Sequence, residues 1–475
     1  GGNAVTTSQS NNTATLKADK VQSPTSVNHV SSYGWHNSLV QMNVLNYALA
    51  YTGPDHDGYI GTFAISADGT SISVSATALE HETEIGYDNS LVKIDDNTYA
   101  LAYTGADQDG YIKTFTIPAD GSSITEVHSL EHDTEYGTHN SLVKVDDDTY
   151  ALAYNGGWNR AVRGSFIKTF TIPADGSSIT EAAVLRHDNK AVNARNNSLV
   201  KVDDDTYLLA YDQDLSLGYS VSRNGRLKTF TIPADGSTIT QVDSLVVNES
   251  SGFGSTSLVK VDDDTYALGS GTIYTFTVPA DGSTITEVSS LSEGGHQFPS
   301  FIQMNDDNYA LAYGSGYIST YTINSDGSSI KKVWNDRHDQ NGNGHNSLVK
   351  VDDATYLLAY AAGSSGGVIK SFTIASGNMF PTISSAPTVT TSEDTEYAFA
   401  TSDFNYFDLD GDALDHIEVT SLETTGALYL DADNDDTHDS GEDVTANQDI
   451  TGTNITNGHL RFAPAADSSG SAYTT

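Results

Sequence analysis

The stretch His139–Tyr154, HNSLVKVDDDTYALAY, recurs with small changes along most of the chain. Its serine is found again at Ser38, Ser90, Ser198, Ser257, Ser300 and Ser347, so the seven copies lie 52, 51, 57, 59, 43 and 47 residues apart. Self-similarity at that period fits propeller blades and is too long for a short-period β-solenoid.

Each unit reads as four short strands. In the second, Ser90–Ile94 alternates apolar and polar residues, Asp95-Asp96-Asn97 turns, and Thr98–Tyr103 (TYALAY) is dense in apolar residues, as a strand buried on both faces should be. Gly110–Ile117 and Ile124–Leu130 follow, joined through Asp120-Gly121, a hairpin signal because glycine accepts a positive φ without steric cost. No stretch carries an apolar 3.6-residue period with caps, so no helix is expected.

The seventh unit ends at Ile374 without a fourth strand, and the missing piece stands at the front. Val27–His36 lines up with Leu130–His139. An N-terminal strand that completes the last blade closes a ring and removes exposed sheet edges. The expected architecture is all-β: a flexible leader over 1–20, a seven-bladed β-propeller over 21–376, a linker over 377–387 and a smaller β-sandwich over 388–475.

The chain has 475 residues, no cysteine, and 63 acidic against 22 basic side chains, a net charge of -41. Such a charge repels nucleic acid. No apolar run is long enough to span a bilayer. Without cysteine there are no disulfides, so any extra stapling comes from ring closure or metal. An acidic, disulfide-free chain suits a calcium-rich exterior, so a secreted, extracellular or cell-surface location is expected, and the polar start Gly1–Asn12 reads as processed or trimmed.

Past Ile374 the composition changes. Ser392-Glu393-Asp394, Phe407–Asp412 (FDLDGD), Val419–Asp431 (VTSLETTGALYLD) and Ser440-Gly441-Glu442 together resemble the cadherin-like, immunoglobulin-type repeats found in tandem in large bacterial surface adhesins. The resemblance implies calcium at the domain edge or junction, with Glu393 among its candidate ligands, an extracellular setting and further copies downstream. A further strand is expected where the sequence stops at Thr475, so a fragment of a longer protein is expected. Chemistry supports calcium separately. Asp431, Asp433, Asp435, Asp439 and Glu442 fall at positions 1, 3, 5, 9 and 12 of an EF-hand-type loop, with the Thr437 carbonyl at position 7. Asp436 replaces the glycine of position 6, and a solvated acidic loop is the alternative. Asp408, Asp410 and Asp412 form a second candidate site.

Within the ring, the turns of one face repeat: Asp146-Asp147-Asp148 returns at Asp203 and Asp262, and Ala-Asp-Gly-Ser at Ala119, Ala174, Ala234 and Ala280. On the opposite face the copying stops, with insertions over 155–165 and 212–225. Variable loops on a rigid scaffold commonly carry binding, which assigns function to this face. Six of the eight arginines are Arg160, Arg163, Arg186, Arg195, Arg223 and Arg226, accompanied by Lys190, Trp158 and Tyr219. Guanidinium forks match carboxylate or sulfate and aromatic rings stack on sugars, so an acidic polysaccharide or cell-surface glycan is the expected partner. The plain alternative is that these arginines pair with Asp188, Asp212 and Asp214.

His29, His81, His132, His187 and His338 share one repeated position and read as structural, whereas His36, His139 and His345 open innermost strands and can meet at the channel mouth. Asp55-His56-Asp57-Gly58 and Asp107-Gln108-Asp109-Gly110 read equally as calcium loops or acidic turns. The favoured function is a non-enzymatic adhesion head with a calcium-stiffened cadherin-like stalk. A uronate polysaccharide lyase is the alternative, with His187 or Tyr219 as base and Arg160 and Arg163 neutralising the carboxylate. Self-assembly or a protein partner is the second. No Ser/His/Asp signature, phosphate loop or zinc motif appears.

Overall fold

The structure, a computed structural model, describes residues 4–8, 21–22, 25–157, 164–188, 193–214, 223–248, 253–294, 297–374, 382–383, 388–404, 406–407, 414, 416–446, 448–468 and 470–474, less 306, 315, 343, 353, 364 and 365. The chain divides into two compact units, residues 20–376 and residues 1–19 with 377–475.

The first unit consists, among the described residues, of six four-stranded antiparallel sheets over 35–82, 87–133, 137–188, 193–248, 257–292 and 300–337, and a seventh over 347–374. The seventh takes its outer strand from the N-terminal side: Ser26–Val30 pairs with Gly367–Ile374, Val27 opposite Ile369, and Val21–Gln22 extends the pairing. Ring closure through a displaced strand is therefore present. His29 confirms its register, packing edge-on against Tyr51 at 4.7 Å as His132 packs against Tyr154 at 4.8 Å.

The repeated TYALAY explains why the sentence is copied. Its alternation sends Tyr99, Leu101 and Tyr103 to one side, where they meet Ala48, Ala50 and Ile60 of the preceding sheet. The small side, Ala100 and Ala102, receives Tyr150, Leu152 and Tyr154 of the following sheet. Large against small on every interface lets neighbouring sheets interdigitate at core density, and each sheet must present both faces. All seven residues from Thr98 to Thr104 are buried.

Two sets of hydrogen bonds run round the ring. The repeated serine accepts from the next sheet's backbone: Leu91 N–H on Ser38, Leu142 on Ser90, Leu199 on Ser141, Leu258 on Ser198, Phe301 on Ser257, Leu348 on Ser300, and Leu39 on Ser347, all at 2.9–3.0 Å. The last of these joins the seventh sheet to the first. In the second set a third-strand hydroxyl donates to the carbonyl of the turn glycine one sheet on, Thr62 to Gly121, Thr114 to Gly176, Thr169 to Gly236, Thr229 to Gly282 and Thr275 to Gly327 at 2.7 Å, and Ser371 to Gly69 at 2.8 Å. These glycines hold φ between +63° and +71°, and a Cβ on Gly176 would stand 3.0 Å from Thr98. The Ala-Asp-Gly-Ser turns are thus inter-sheet clasps. The repeated lysines act similarly, Lys93, Lys144, Lys201 and Lys350 donating to the preceding sheet's Met42, Ile94, Val145 and Met304 carbonyls. A closed ring of such sheets is a β-propeller fold.

The second unit is built of short strands around Val444, Ile450, Ile455 and Leu460, with Phe399, Phe404 and Leu428 packed on them. Ala427–Leu430 and Tyr397–Ala398 flank Leu460–Ala463, and His416–Val419 pairs with Gln448–Thr451. Two features differ from the sequence reading. Gly452–Thr456 is a short helix, capped by the Thr451 hydroxyl on the Asn454 N–H; one turn and a half is too short to show a 3.6-residue period. Ala4–Ser8, read as leader, is a strand between Thr388–Ser392 and Gly470–Thr474, its β-branched Val5, Thr6 and Thr7 suiting a sheet. Among the described residues no helix is long and apolar enough to cross a membrane.

Candidate functional site

Where the innermost strands begin, one position of the repeat holds five different residue types: His36, Asp88, His139, Asn196, Ser255, Phe298 and His345. All line one cavity of about 210 Å³. Six of them hold a left-handed backbone, with φ from +49° at His36 to +56° at His139 and Asn196. In the first four sheets the pairing slips by one residue there, between Trp35 and Ser38, Tyr87 and Ser90, Thr138 and Ser141, and Arg195 and Ser198. An extra residue in one strand is a bulge, which re-aims a side chain at a local backbone cost of about 1 kcal/mol or more. Asn, Asp and His tolerate this conformation better than most; Phe298 does not.

The next residue is an asparagine in five sheets, Asn37, Asn89, Asn140, Asn197 and Asn346, and its amide NH2 is committed. Asn37 donates to the Gly34 and His345 carbonyls, both at 2.8 Å, Asn89 to His36 at 3.1 Å, Asn197 to His139 at 2.8 Å. That fixes the amide orientation. It also leaves the Oδ1 atoms of Asn37, Asn89, Asn140 and Asn197 enclosed without a donor.

Asp88 is the hub of the mouth. Its carboxylate meets His36 Nδ1 at 3.1 Å and His139 Nδ1 at 3.9 Å, and accepts from the His139 N–H at 2.8 Å, linking three successive sheets. Burial alone would raise its pKa; His139 and His36 outweigh that and hold it well below the usual carboxylate range. His345 is pushed down to about 3 by burial and by His36, and its ring lies between Phe298 at 4.0 Å and Trp35 at 5.8 Å, both stacked. His36 stacks on Tyr87 at 5.1 Å. The three mouth histidines expected to approach one another therefore belong to one cluster with Asp88, which the sequence reading did not include. Its signal was there: this column of the repeat varies while the serine two residues on stays fixed.

Part of the basic stretch falls among the described residues. Trp158, Arg160, Arg163, Lys190 and Tyr219 lie outside the described residues. Arg186 lies over the Phe166 ring at 6.0 Å. Arg226 donates to Gln213 at 2.6 Å, Gln213 in turn bonds Asp188, and Asp188 also accepts from Tyr211 at 2.9 Å. Asp212 is buried, takes the N–H groups of Phe253 and Gly254, and faces Arg223 and Arg195, which temper the upward shift that burial gives it. Arg195 also stands close enough to His139 to oppose its protonation. Among the described arginines, Arg226 is thus linked to Asp188 through Gln213, and Arg223 and Arg195 act on Asp212.

His187 does not fit the role of a base. It is buried between Tyr211 and Phe230, both ring nitrogens lack a partner, and burial followed by Lys228 pushes it down to about 3. His29, His81, His132 and His338 share that environment and are pushed down to about 3 by the same burial.

In the second unit, Asp431, Asp433 and Asp435 place carboxylate oxygens within 4.8 Å of one another. Asp431 is buried at the end of Ala427–Leu430 and accepts from the Asp435 and Asp436 N–H groups at 3.2 and 3.1 Å, which with Arg461 hold its carboxyl low against desolvation. Asp435 beside it raises Asp433. Asp436, at position 6, takes φ +65°, so the turn forms without glycine. Glu442 folds back onto the loop, accepting from Ala432 and Asp439 at 2.8 and 2.9 Å. Thr437 donates to Asp435 at 2.6 Å. Arg461 pairs with Asp431 at 3.3 Å and with Asp436. Asp439, Glu442 and Glu393 are not among the converging carboxylates, and Asp408, Asp410 and Asp412 lie outside the described residues.

No family profile matches this sequence, and no curated protein does. Among solved structures, the chain is similar to a Bacteroides fragilis protein provisionally assigned as a 6-phosphogluconolactonase, at 12% identity and TM-score 0.49, covering 77% of this chain and 93% of that one. It is similar also to the periplasmic gluconolactonase of Pseudomonas aeruginosa, at 13% identity and TM-score 0.48 with 70% and 97% covered. Sqt1 of Saccharomyces cerevisiae follows at 11% identity and TM-score 0.48, with 75% and 99% covered. Likeness at these identities concerns the fold and does not extend to activity.

Proposed function

We propose that the chain is a non-enzymatic extracellular binding protein. In this reading a seven-bladed propeller holds an acidic glycan on the face that contains the axial mouth, and a cadherin-like, calcium-binding sandwich accompanies it. The observation that carries the reading is the mouth itself: the residues that open the innermost strands converge on one cavity with a carboxylate at Asp88, imidazoles at His36, His139 and His345 and the exposed ring of Phe298. The lyase alternative loses its described base, because His187 is sealed between sheets and has no path to a substrate proton.

The donor set of the Asp431 loop fits a hard cation. Crowded carboxylates, an inward-folded Glu442 and the turn at Asp436 suit calcium, for which Asp431, Asp433, Asp435, Asp439 and Glu442 would supply oxygens, with the Thr437 carbonyl. Calcium would neutralise their mutual repulsion and lock the loop.

Immobilising the whole chain and passing acidic and neutral polysaccharides over it in calcium tests the function. Retention of intact acidic polymer is the expected result. Release of shortened chains with ultraviolet-absorbing unsaturated ends would make the protein a lyase, and no retention of any polysaccharide would move its function to protein partners or self-assembly.

A further inference from the structure

We propose that the axial mouth takes its acidic ligand together with a proton: His36 and His139, on either side of Asp88, become charged as an anionic group arrives, so that binding strengthens as pH falls. This rests on the glycan-binding reading above and adds how that site is regulated.

The lining sets the charge. Among the described residues around the depression, the ionisable side chains are Asp88, His36, His139 and His345, and there is no lysine or arginine. With its imidazoles neutral, the mouth therefore carries one negative charge, in a chain whose net charge is -41. A carboxylate or sulfate that approaches it meets like charge. Of these side chains the imidazoles alone can become cations, and histidine is the residue whose charge changes near neutral pH. A glycan carboxylate, with a pKa of about 4, or a sulfate stays ionised there, so any proton taken up on binding goes to the protein.

Geometry decides which imidazoles. The side chains of His36 and His139 are 22% and 29% exposed, with Asp88 between them at 15%. His36 Nδ1 stands 3.1 Å from the ionised Asp88 carboxylate, so that nitrogen holds the hydrogen and Nε2 of the neutral ring is a bare acceptor. A second proton makes Nε2 a donor to an anionic oxygen, and Asp88 stabilises the charge so formed. His139 Nδ1 lies 3.9 Å from the same carboxylate, within reach of its attraction. His345 differs: its ring is held between Phe298 and Trp35, 4.6 Å from that of His36, and burial and His36 push it down to about 3. The remaining neighbours add little charge of their own. Tyr87 stacks on His36 and its hydroxyl engages His56, while Asn196, Ser255 and Phe298 bring neutral side chains from the fourth, fifth and sixth sheets. Burial, with Arg195 acting through space from Asn193–Lys201 and with His36, holds His139 below the usual imidazole value against the pull of Asp88. The free mouth thus lacks this proton at neutral pH. A bound anion raises the imidazoles' affinity for it, so the complex holds more protons than the free protein and affinity falls as pH rises.

The test is calorimetric titration of the whole chain with chondroitin sulfate and with hyaluronan between about pH 5 and pH 8. Paired runs near neutral pH in PIPES and in Bis-Tris, which differ in ionisation enthalpy, count the protons taken up. The expected result is about one proton per bound site and affinity that rises about threefold to tenfold for each unit by which pH falls. Replacing both histidines, His36→Gln with His139→Gln, should abolish the uptake and flatten the pH profile. Asp88→Asn, which removes the fixed negative charge, should bind both polymers more tightly than the parent at the alkaline end, a gain that a damaged fold cannot produce. Binding that is level across the range without proton uptake, uptake that survives the double substitution, or Asp88→Asn binding no more tightly than the parent overturns the proton linkage while leaving glycan binding standing. Failure of both polymers to bind at every pH overturns both.

Discussion

A histidine enclosed by two aromatic rings has to be neutral, and five copies of that residue give the first unit a pH dependence. His29, His81, His132, His187 and His338 are each pushed down to about 3 by burial. In the unfolded chain they titrate near 6.5, so below that pH the unfolded state binds protons that the folded state refuses. Their contribution is complete above pH 6.5 and is lost as pH falls from 6.5 toward 3. Asp109, pushed up to about 6 by burial and by Glu131, works in the opposite sense, since there the folded state binds the proton first. The histidines outnumber it. Unfolding free energy from urea titration should therefore fall between pH 6 and pH 5, and His132→Asn should reduce that slope by about 1 kcal/mol per pH unit. A slope unchanged by the substitution would mean that His132 titrates normally in the fold.

The strand and the turn are the scale at which the sequence was most legible. Alternation, the Asp-Gly hairpins and the displaced strand before Trp35 are local signals, and they led to the sheets, the clasps and the closing strand. The mouth was legible only in part. His36, Asp88 and His139 are separated by 52 and 51 residues and meet only because the ring brings strand starts together, while the left-handed bulge that turns them inward leaves no periodic mark. For the arginine cluster, proximity in sequence does not reveal that Asp188 and Asp212 are buried. What the sequence could not distinguish is whether the repeated serine serves a channel or the scaffold. The hydrogen bonds place it in the scaffold. Ser141→Ala should leave the Leu199 N–H without its acceptor at the junction of two sheets and cost about 1–3 kcal/mol in unfolding free energy, with faster hydrogen exchange at Leu199. Exchange at Leu199 indistinguishable from the parent would show that water takes over the hydroxyl's place.

For the molecule as a whole, the two units draw their stability from different sources, and removal of calcium should separate them. The first unit closes on itself through seven serine acceptors, six glycine clasps and continuous packing of Tyr and Leu against Ala, none of which involves clustered carboxylates. The second has, among the described residues, a small core around Val444, Ile450, Ile455 and Leu460, and a loop in which Asp433 is raised by its neighbour Asp435. Like charges held within 4.8 Å are unfavourable without a cation, and Arg461 offsets only those of Asp431 and Asp436. A metal that binds the folded loop alone stabilises by mass action, about 2.7 kcal/mol at a hundred times its dissociation constant. With excess chelator, the calorimetric transition of residues 388–475 should move to lower temperature while that of the propeller stays in place, and Asp433→Asn should make the lower transition less sensitive to chelator. If both transitions ignore the chelator, the loop is a solvated acidic turn; if both move, calcium also binds the first unit, and the repeated turns at Asp55 and Asp107 become the place to look.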